Sequence, residues 1–240
     1  MDSADKKEHK LEVDLNMKRI KKLVMYSGGQ ERSNRYLHQA LSDLVGPKRR
    51  KSFTYIPFCI DNHQTYFKRA IRRYRYFGFT DFHCLPIDHY IHDYDLEVAL
   101  RSDVIYLAGG NTFYFLKHLR KSGMLPLLKA FVESGGVLAG LSAGGLIMTP
   151  HIELAGYPNF ECDENDVNLK NLRALNLLKL EFFPHYRDSK RMRESLIQYS
   201  KNSKYPIYAC KDGGGLVING VNKSFFGDFV IFNNGKLIRI

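Results

Sequence analysis

Gly140-Leu141-Ser142-Ala143-Gly144 has the G-x-S-x-G spacing that presents a serine for nucleophilic attack. A strand that turns sharply into a helix forces its central residue into strained backbone geometry, and neighbours without side chains leave room for the turn. The surroundings suit that reading. Val137-Leu138-Ala139 is the short apolar run of a buried strand, and Ala143 to Met148 can open a helix that Pro150 ends. Ser142 is therefore the candidate nucleophile.

A serine hydroxyl attacks poorly until a base takes its proton. Of the nine histidines, two follow Ser142, namely His151 and His185. His185 closes the apolar stretch Glu181-Phe182-Phe183-Pro184, which puts it at a strand terminus of the same kind as that carrying Ser142, so it is the preferred base over His151. The other ring nitrogen needs an acceptor that holds the imidazole in one tautomer. Asp212, in Lys211-Asp212-Gly213-Gly214-Gly215 just beyond the run Ile207 to Cys210, is the choice, with Asp188 as rival. Both acids have a plain structural use as well, Asp188 as a helix cap and Asp212 as a turn residue before glycines.

Acyl transfer also needs donors for the oxyanion. Gly109 and Gly110 can offer a backbone N–H with no side chain in the way, and the N–H of Ala143 beside the nucleophile would be the second donor. Gly109 and Asn111 are also expected to meet substrate, although Asn111 or Thr112 could equally cap the helix that follows.

The elements that must bring these residues together alternate along the chain. Leu23–Tyr26, Phe53–Pro57, Phe82–Leu85, Val104–Leu107 and the run into Ser142 read as strands. Helical spacing marks Tyr36 to Val45, Tyr66 to Phe77, Leu96 to Leu100, Phe113 to Lys121 and Leu125 to Ser134 between them. Such alternation predicts a parallel sheet with helices on both faces, and places the site at the carboxyl ends of its strands. Beyond it, 181–183 and 207–209 read as strands around a helix from Ser189 to Tyr199. Short β segments at 215–218, 224–226, 229–232 and 237–240 close the chain.

Composition bounds the rest. With 240 residues, 44% of them hydrophobic, the chain can bury one substantial core, so residues 21–240 are read as a single α/β domain behind a polar, basic tail, 1–20. No run approaches the roughly 20 apolar residues of a membrane span, and the first twenty residues are charged without an apolar segment, so a soluble, unsecreted protein is expected. Cys59, Cys84, Cys162 and Cys210 are scattered with no C-x-x-C pair, so neither a zinc site nor a disulfide framework is signalled and a cytoplasmic protein is expected. The net charge of +11 invites a polyanion, but many of the cations fall in the tail, in Lys48-Arg49-Arg50-Lys51 and along Lys68 to Arg75, without a nucleic-acid-binding motif. No specific nucleic-acid partner is expected.

Three segments together resemble a known family. Asp103-Val104-Ile105-Tyr106-Leu107-Ala108-Gly109-Gly110-Asn111-Thr112-Phe113, then Gly140-Leu141-Ser142-Ala143-Gly144-Gly145, then Phe183-Pro184-His185-Tyr186 are similar, in order and spacing, to peptidase E, the aspartyl dipeptidases, a family that also includes cyanophycinases. The resemblance implies a flavodoxin-like three-layer α/β sandwich related to class I glutamine amidotransferases. It also implies a triad in the order Ser142, His185, acid, and an oxyanion hole at Gly110 and Ala143. Asp212 stands where aspartyl dipeptidases tend to carry a glutamate, one methylene longer. Leu141 replaces the tryptophan of enterobacterial members, and Gly145-Leu146 replaces their Ala-Asn. For the arginine that would read a substrate aspartate, Arg187, Arg191 and Arg193 are the nearby candidates, since a guanidinium fork suits a carboxylate.

The expectation is a serine dipeptidase acting on Asp-Xaa peptides, without metal or organic cofactor, as a monomer or homodimer. A hydrolase of other small or β-aspartyl peptides is the alternative within enzymes. A binding module that holds an acidic partner on its basic surface is the alternative outside them.

Overall fold

The computed structural model describes residues 20–28, 32–58 and 62–240. Most of the expected tail, Gly29 of the first turn and Cys59 lie outside the described residues.

Five parallel strands form the centre: β1 (Lys22–Tyr26), β2 (Lys51–Ile56), β3 (Phe79–Cys84), β4 (Val104–Leu107) and β5 (Val137–Leu141). Between them run α1 (Arg35–Val45), α2 (His63–Arg75), α3 (Asp93–Leu100), α4 (Thr112–Lys121) and α5 (Met124–Glu133). The sheet order is β3-β2-β4-β5-β1, extended beyond β1 by the antiparallel β8 (Gly215–Asn219) and β9 (Asn222–Phe226). The central strands are apolar at successive positions because both of their faces are covered. Val24, Tyr26, Phe53, Val104, Tyr106 and Ala139 pack with Leu37, Leu41 and Tyr74 of α1 and α2. The alternate residues Leu23, Met25, Ile105, Leu107 and Leu138 face Phe115, Leu116 and Leu128 of α4 and α5.

The chain's last third differs from the sequence reading in one respect. Its strands divide between two sheets. β6 (Glu181–Phe183) and β7 (Ile207–Cys210) pair in parallel, are linked through α7 (Lys190–Ser200), and continue antiparallel into β10 (Phe229–Asn233) and β11 (Lys236–Arg239). This four-stranded sheet packs into the same core as α4 and α5 through Phe182, Ala209 and Phe232. Apolar runs of three or four residues carry no mark of the sheet they join. Among the described residues no helix is long and apolar enough to cross a membrane.

Candidate active site

β5 delivers Ser142 into α6 (Ala143–Leu146), a single helical turn shorter than its sequence suggests. Ser142 has φ 49° and ψ −108°, a conformation that costs an L-residue energy and persists only where the surroundings enforce it. The enforcement is visible. The Ser142 N–H donates to the Tyr26 carbonyl at 2.9 Å, while the Ser142 carbonyl accepts from Gly145 at 2.8 Å and Leu146 at 3.0 Å. A Cβ at Gly140 would stand 2.4 Å from the Gly144 carbonyl oxygen, which is why the turn admits no side chain there.

His185 follows β6 and also has positive φ, 57°. Its Nε2 lies 2.8 Å from Ser142 Oγ, and its Nδ1 lies 2.6 Å from Asp212 Oδ1, on the loop after β7. Hydroxyl, imidazole and carboxylate stand in one line, and with the proton on Nδ1 the ring presents a lone pair to the hydroxyl. The histidine and aspartate side chains are 46% and 50% exposed, so the line opens to solvent rather than lying in the core.

The rivals have other work. Asp188 accepts from Arg193 at 2.6 Å and from the Tyr186 hydroxyl at 2.9 Å, and these bonds hold its carboxyl below the usual carboxylate range. His151 bridges to Arg173 and has its Nδ1 4.0 Å from Glu181, beside a different and larger depression of about 930 Å³ that contains none of Ser142, His185 and Asp212. That depression is not where the hydroxyl points. Ser142 opens into a cavity of about 300 Å³ whose lining includes Leu146, Leu154, Tyr157, Glu161, Asp163 and Arg187.

The residues expected to meet substrate separate on inspection. Gly110 has φ 145° and a Cβ there would stand 2.2 Å from the Phe58 ring, so its backbone is bare by necessity. Asn111 has both side-chain ends engaged: Oδ1 accepts from the Tyr114 N–H at 3.0 Å, capping α4, and Nδ2 donates to the Glu164 carbonyl at 2.7 Å. Of the arginines, Arg187 lines the cavity, with Nη1 3.5 Å from Glu161. Arg191 stacks 3.7 Å from the Phe160 ring centre, and Arg193 is held by Asp188.

Sequence reasoning passed over three contributors. Ser27 lies between the histidine and aspartate loops, Asp163 binds the Thr112 N–H at 2.8 Å and hydroxyl at 2.6 Å, and Glu161 pairs with Arg187. Ser27 could have been found, since it ends a central strand at the edge where sites form. Glu161 and Asp163 fall in a stretch without periodicity, where nothing in the sequence marks them.

An α/β protein with a strained serine, an imidazole and a carboxylate aligned at the carboxyl ends of its strands has the geometry of acyl-transfer hydrolases. Comparison with known proteins makes the assignment specific. Residues 23–225 match Peptidase family S51, and the chain belongs to that family. A Listeria monocytogenes relative named "Uncharacterized peptidase Lmo0363" is 34% identical over 111 residues, covering 45% of this chain and about half, 53%, of that one. A Drosophila melanogaster protein named "Probable alpha-aspartyl dipeptidase" is 25% identical over 93% of this chain and 92% of its own length. A crystal structure of a candidate peptidase E from Listeria monocytogenes shares the fold, with a TM-score of 0.67 and 22% identity over 86% of this chain and 98% of that one.

Proposed function

We propose that the protein is a serine-type peptidase that cleaves small peptides, preferentially dipeptides beginning with aspartate, through an acyl-enzyme intermediate. The observation that carries the reading is the continuous line from Ser142 Oγ through His185 to Asp212, with spacings of 2.8 and 2.6 Å. Ser142 attacks the scissile carbonyl as His185 takes its proton. Asp212 keeps the imidazole in the productive tautomer and stabilises the imidazolium. His185 then protonates the leaving amine and activates the water that releases the acyl group.

The N–H groups of Gly110 and Ala143 receive the developing oxyanion, each such donor lowering the barrier by about 3 kcal/mol. Arg187 is the residue we assign to the aspartyl carboxylate, because it is the arginine that lines the cavity at Ser142. The Drosophila relative's name points to the same substrate class. Free thiols at Cys84, Cys162 and Cys210 suit a reducing cytoplasm.

The test compares kcat/KM for Asp-Xaa, Glu-Xaa, neutral and isoaspartyl peptides in the native protein and in Ser142→Ala. Turnover of Asp-Xaa that disappears with the hydroxyl supports the proposal. Undiminished turnover by Ser142→Ala refutes the mechanism, and a flat substrate profile refutes the aspartyl preference.

A further inference from the structure

We infer that the carboxyl end of β1, Tyr26-Ser27-Gly28, is the positioning element of the triad, and that Ser27 is its working group. The inference rests on the serine-peptidase reading of the site. Ser142, His185 and Asp212 sit on three separate loops, after β5, β6 and β7 respectively. The two later loops spring from the second sheet, whereas Ser142 springs from the first. Something must fix one sheet's residues against the other's to within a few tenths of an ångström, because a 1 Å misplacement costs on the order of 100-fold in rate.

The end of β1 contacts all three. The Tyr26 carbonyl receives the Ser142 N–H at 2.9 Å. Ser27 Oγ receives the His185 N–H at 2.7 Å, lies 2.8 Å from the Cys210 carbonyl, and stands 3.3 Å from Asp212 Oδ1. The Ser27 N–H donates to the Gly214 carbonyl at 3.0 Å. Ser27 is wholly buried, so no water can substitute for these partners without rearrangement. Its hydroxyl holds one proton and can accept more than one, which suits a residue that must take an N–H from one loop while donating to the other.

β1 is a good reference body. It is paired on both edges, with β5 and with β8, and Leu23 to Tyr26 are buried on both faces. His185 holds an unfavourable positive φ, and the bond from its N–H to Ser27 is a direct restraint on that backbone. Gly28 completes the device. A Cβ there would stand 2.7 Å from Asp212 Oδ1 and 2.8 Å from its Cγ, so the glycine backbone abuts the carboxylate. The element therefore sets the length of the acid as well as its direction. A glutamate at 212 would carry its carboxylate one methylene beyond the place where the aspartate's now abuts the Gly28 backbone.

The experiment uses the full chain with Ser27→Ala, Asp212→Asn, the double variant and Asp212→Glu. Each is read by kcat and KM on an Asp-Xaa peptide, by the rate at which a fluorophosphonate labels Ser142, and by Tm. Ser27→Ala should lower kcat and labelling on the order of 100-fold with KM little changed. In the Asp212→Asn background the same change should cost almost nothing further, since it acts through the histidine and acid already disabled. Asp212→Glu should lose most of its activity despite keeping a carboxylate. Should Ser27→Ala fail to fold, Ser27→Cys keeps a donor and acceptor at the site while weakening the hydrogen bonds, and repeats the test. Native kcat in Ser27→Ala, or losses that add fully to those of Asp212→Asn, overturn the inference. A native protein that neither cleaves peptides nor labels at Ser142 overturns the underlying reading, and this one with it.

Discussion

Gly144 lies so close to Leu107 that a Cβ at position 144 would stand 2.4 Å from the Leu107 carbonyl oxygen. The second glycine of the serine motif thus serves the contact between α6 and β4 as much as the turn itself. Gly144→Ala should destabilise the protein by about 1–3 kcal/mol through overpacking against backbone that cannot retreat. Denaturant unfolding measures it, and an unchanged midpoint would show that β4 yields.

Asp212→Asn preserves shape while removing the negative charge, and its amide can hold the imidazole in the wrong tautomer. The 2.6 Å bond to His185 Nδ1 is the contact at stake. The expected loss in kcat is about 10⁴-fold, as for the corresponding change in other serine hydrolases, with Tm close to native. A loss below about tenfold would assign the orienting role elsewhere.

The arginines separate by position. Arg187 lines the cavity at Ser142, whereas Arg191 is stacked on Phe160. Arg187→Ala should raise KM for Asp-Xaa peptides about 10- to 100-fold, the worth of a charged hydrogen bond of roughly 1.5–3 kcal/mol. Arg191→Ala should leave KM near native. The reverse outcome would move the carboxylate receptor to Arg191.

His38 supplies a pH dependence remote from the site. It is 5% exposed among Tyr26, Tyr74 and Phe77, and burial, assisted by the charge of Arg73, lowers its pKa from 6.5 to about 3. The unfolded chain therefore takes up a proton that the folded protein refuses. Its contribution to stability is complete above pH 6.5 and falls as pH drops toward 3, by up to about 1.4 kcal/mol per pH unit. Urea unfolding from pH 7 to pH 4 should show a steeper decline in the native protein than in His38→Asn, and parallel slopes would refute it.

Much of this was legible in the sequence. The alternation of apolar runs with helical spacing gave the five parallel strands and their helices. Glycines at 140 and 144 marked the serine turn because no other residue tolerates those contacts. His185 could be preferred to His151 because it ends a strand, and Asp212 to Asp188 for the same reason. Element boundaries moved by a few residues: α2 begins at His63 rather than Tyr66, and α6 ends at Leu146.

Other features have no local signature. Whether Asn111 touches substrate depends on the Glu164 carbonyl, 53 residues away in sequence. Which arginine lines the cavity at Ser142 depends on distant partners such as Glu161, which pairs with Arg187 there. The division of the last six strands between two sheets depends on which core surface each one completes, since short apolar strands are interchangeable until packed.

Local sequence was enough to mark most elements and the strand ends that carry Ser142, His185 and Asp212, because backbone periodicity and glycine's lack of a side chain act over a few residues. Only packing could bring a serine just past β1 into contact with the histidine loop 158 residues away and the aspartate loop 185 residues away. Hydrogen bonds of that kind depend on positions in space, and those positions exist only after two sheets have closed on a shared core.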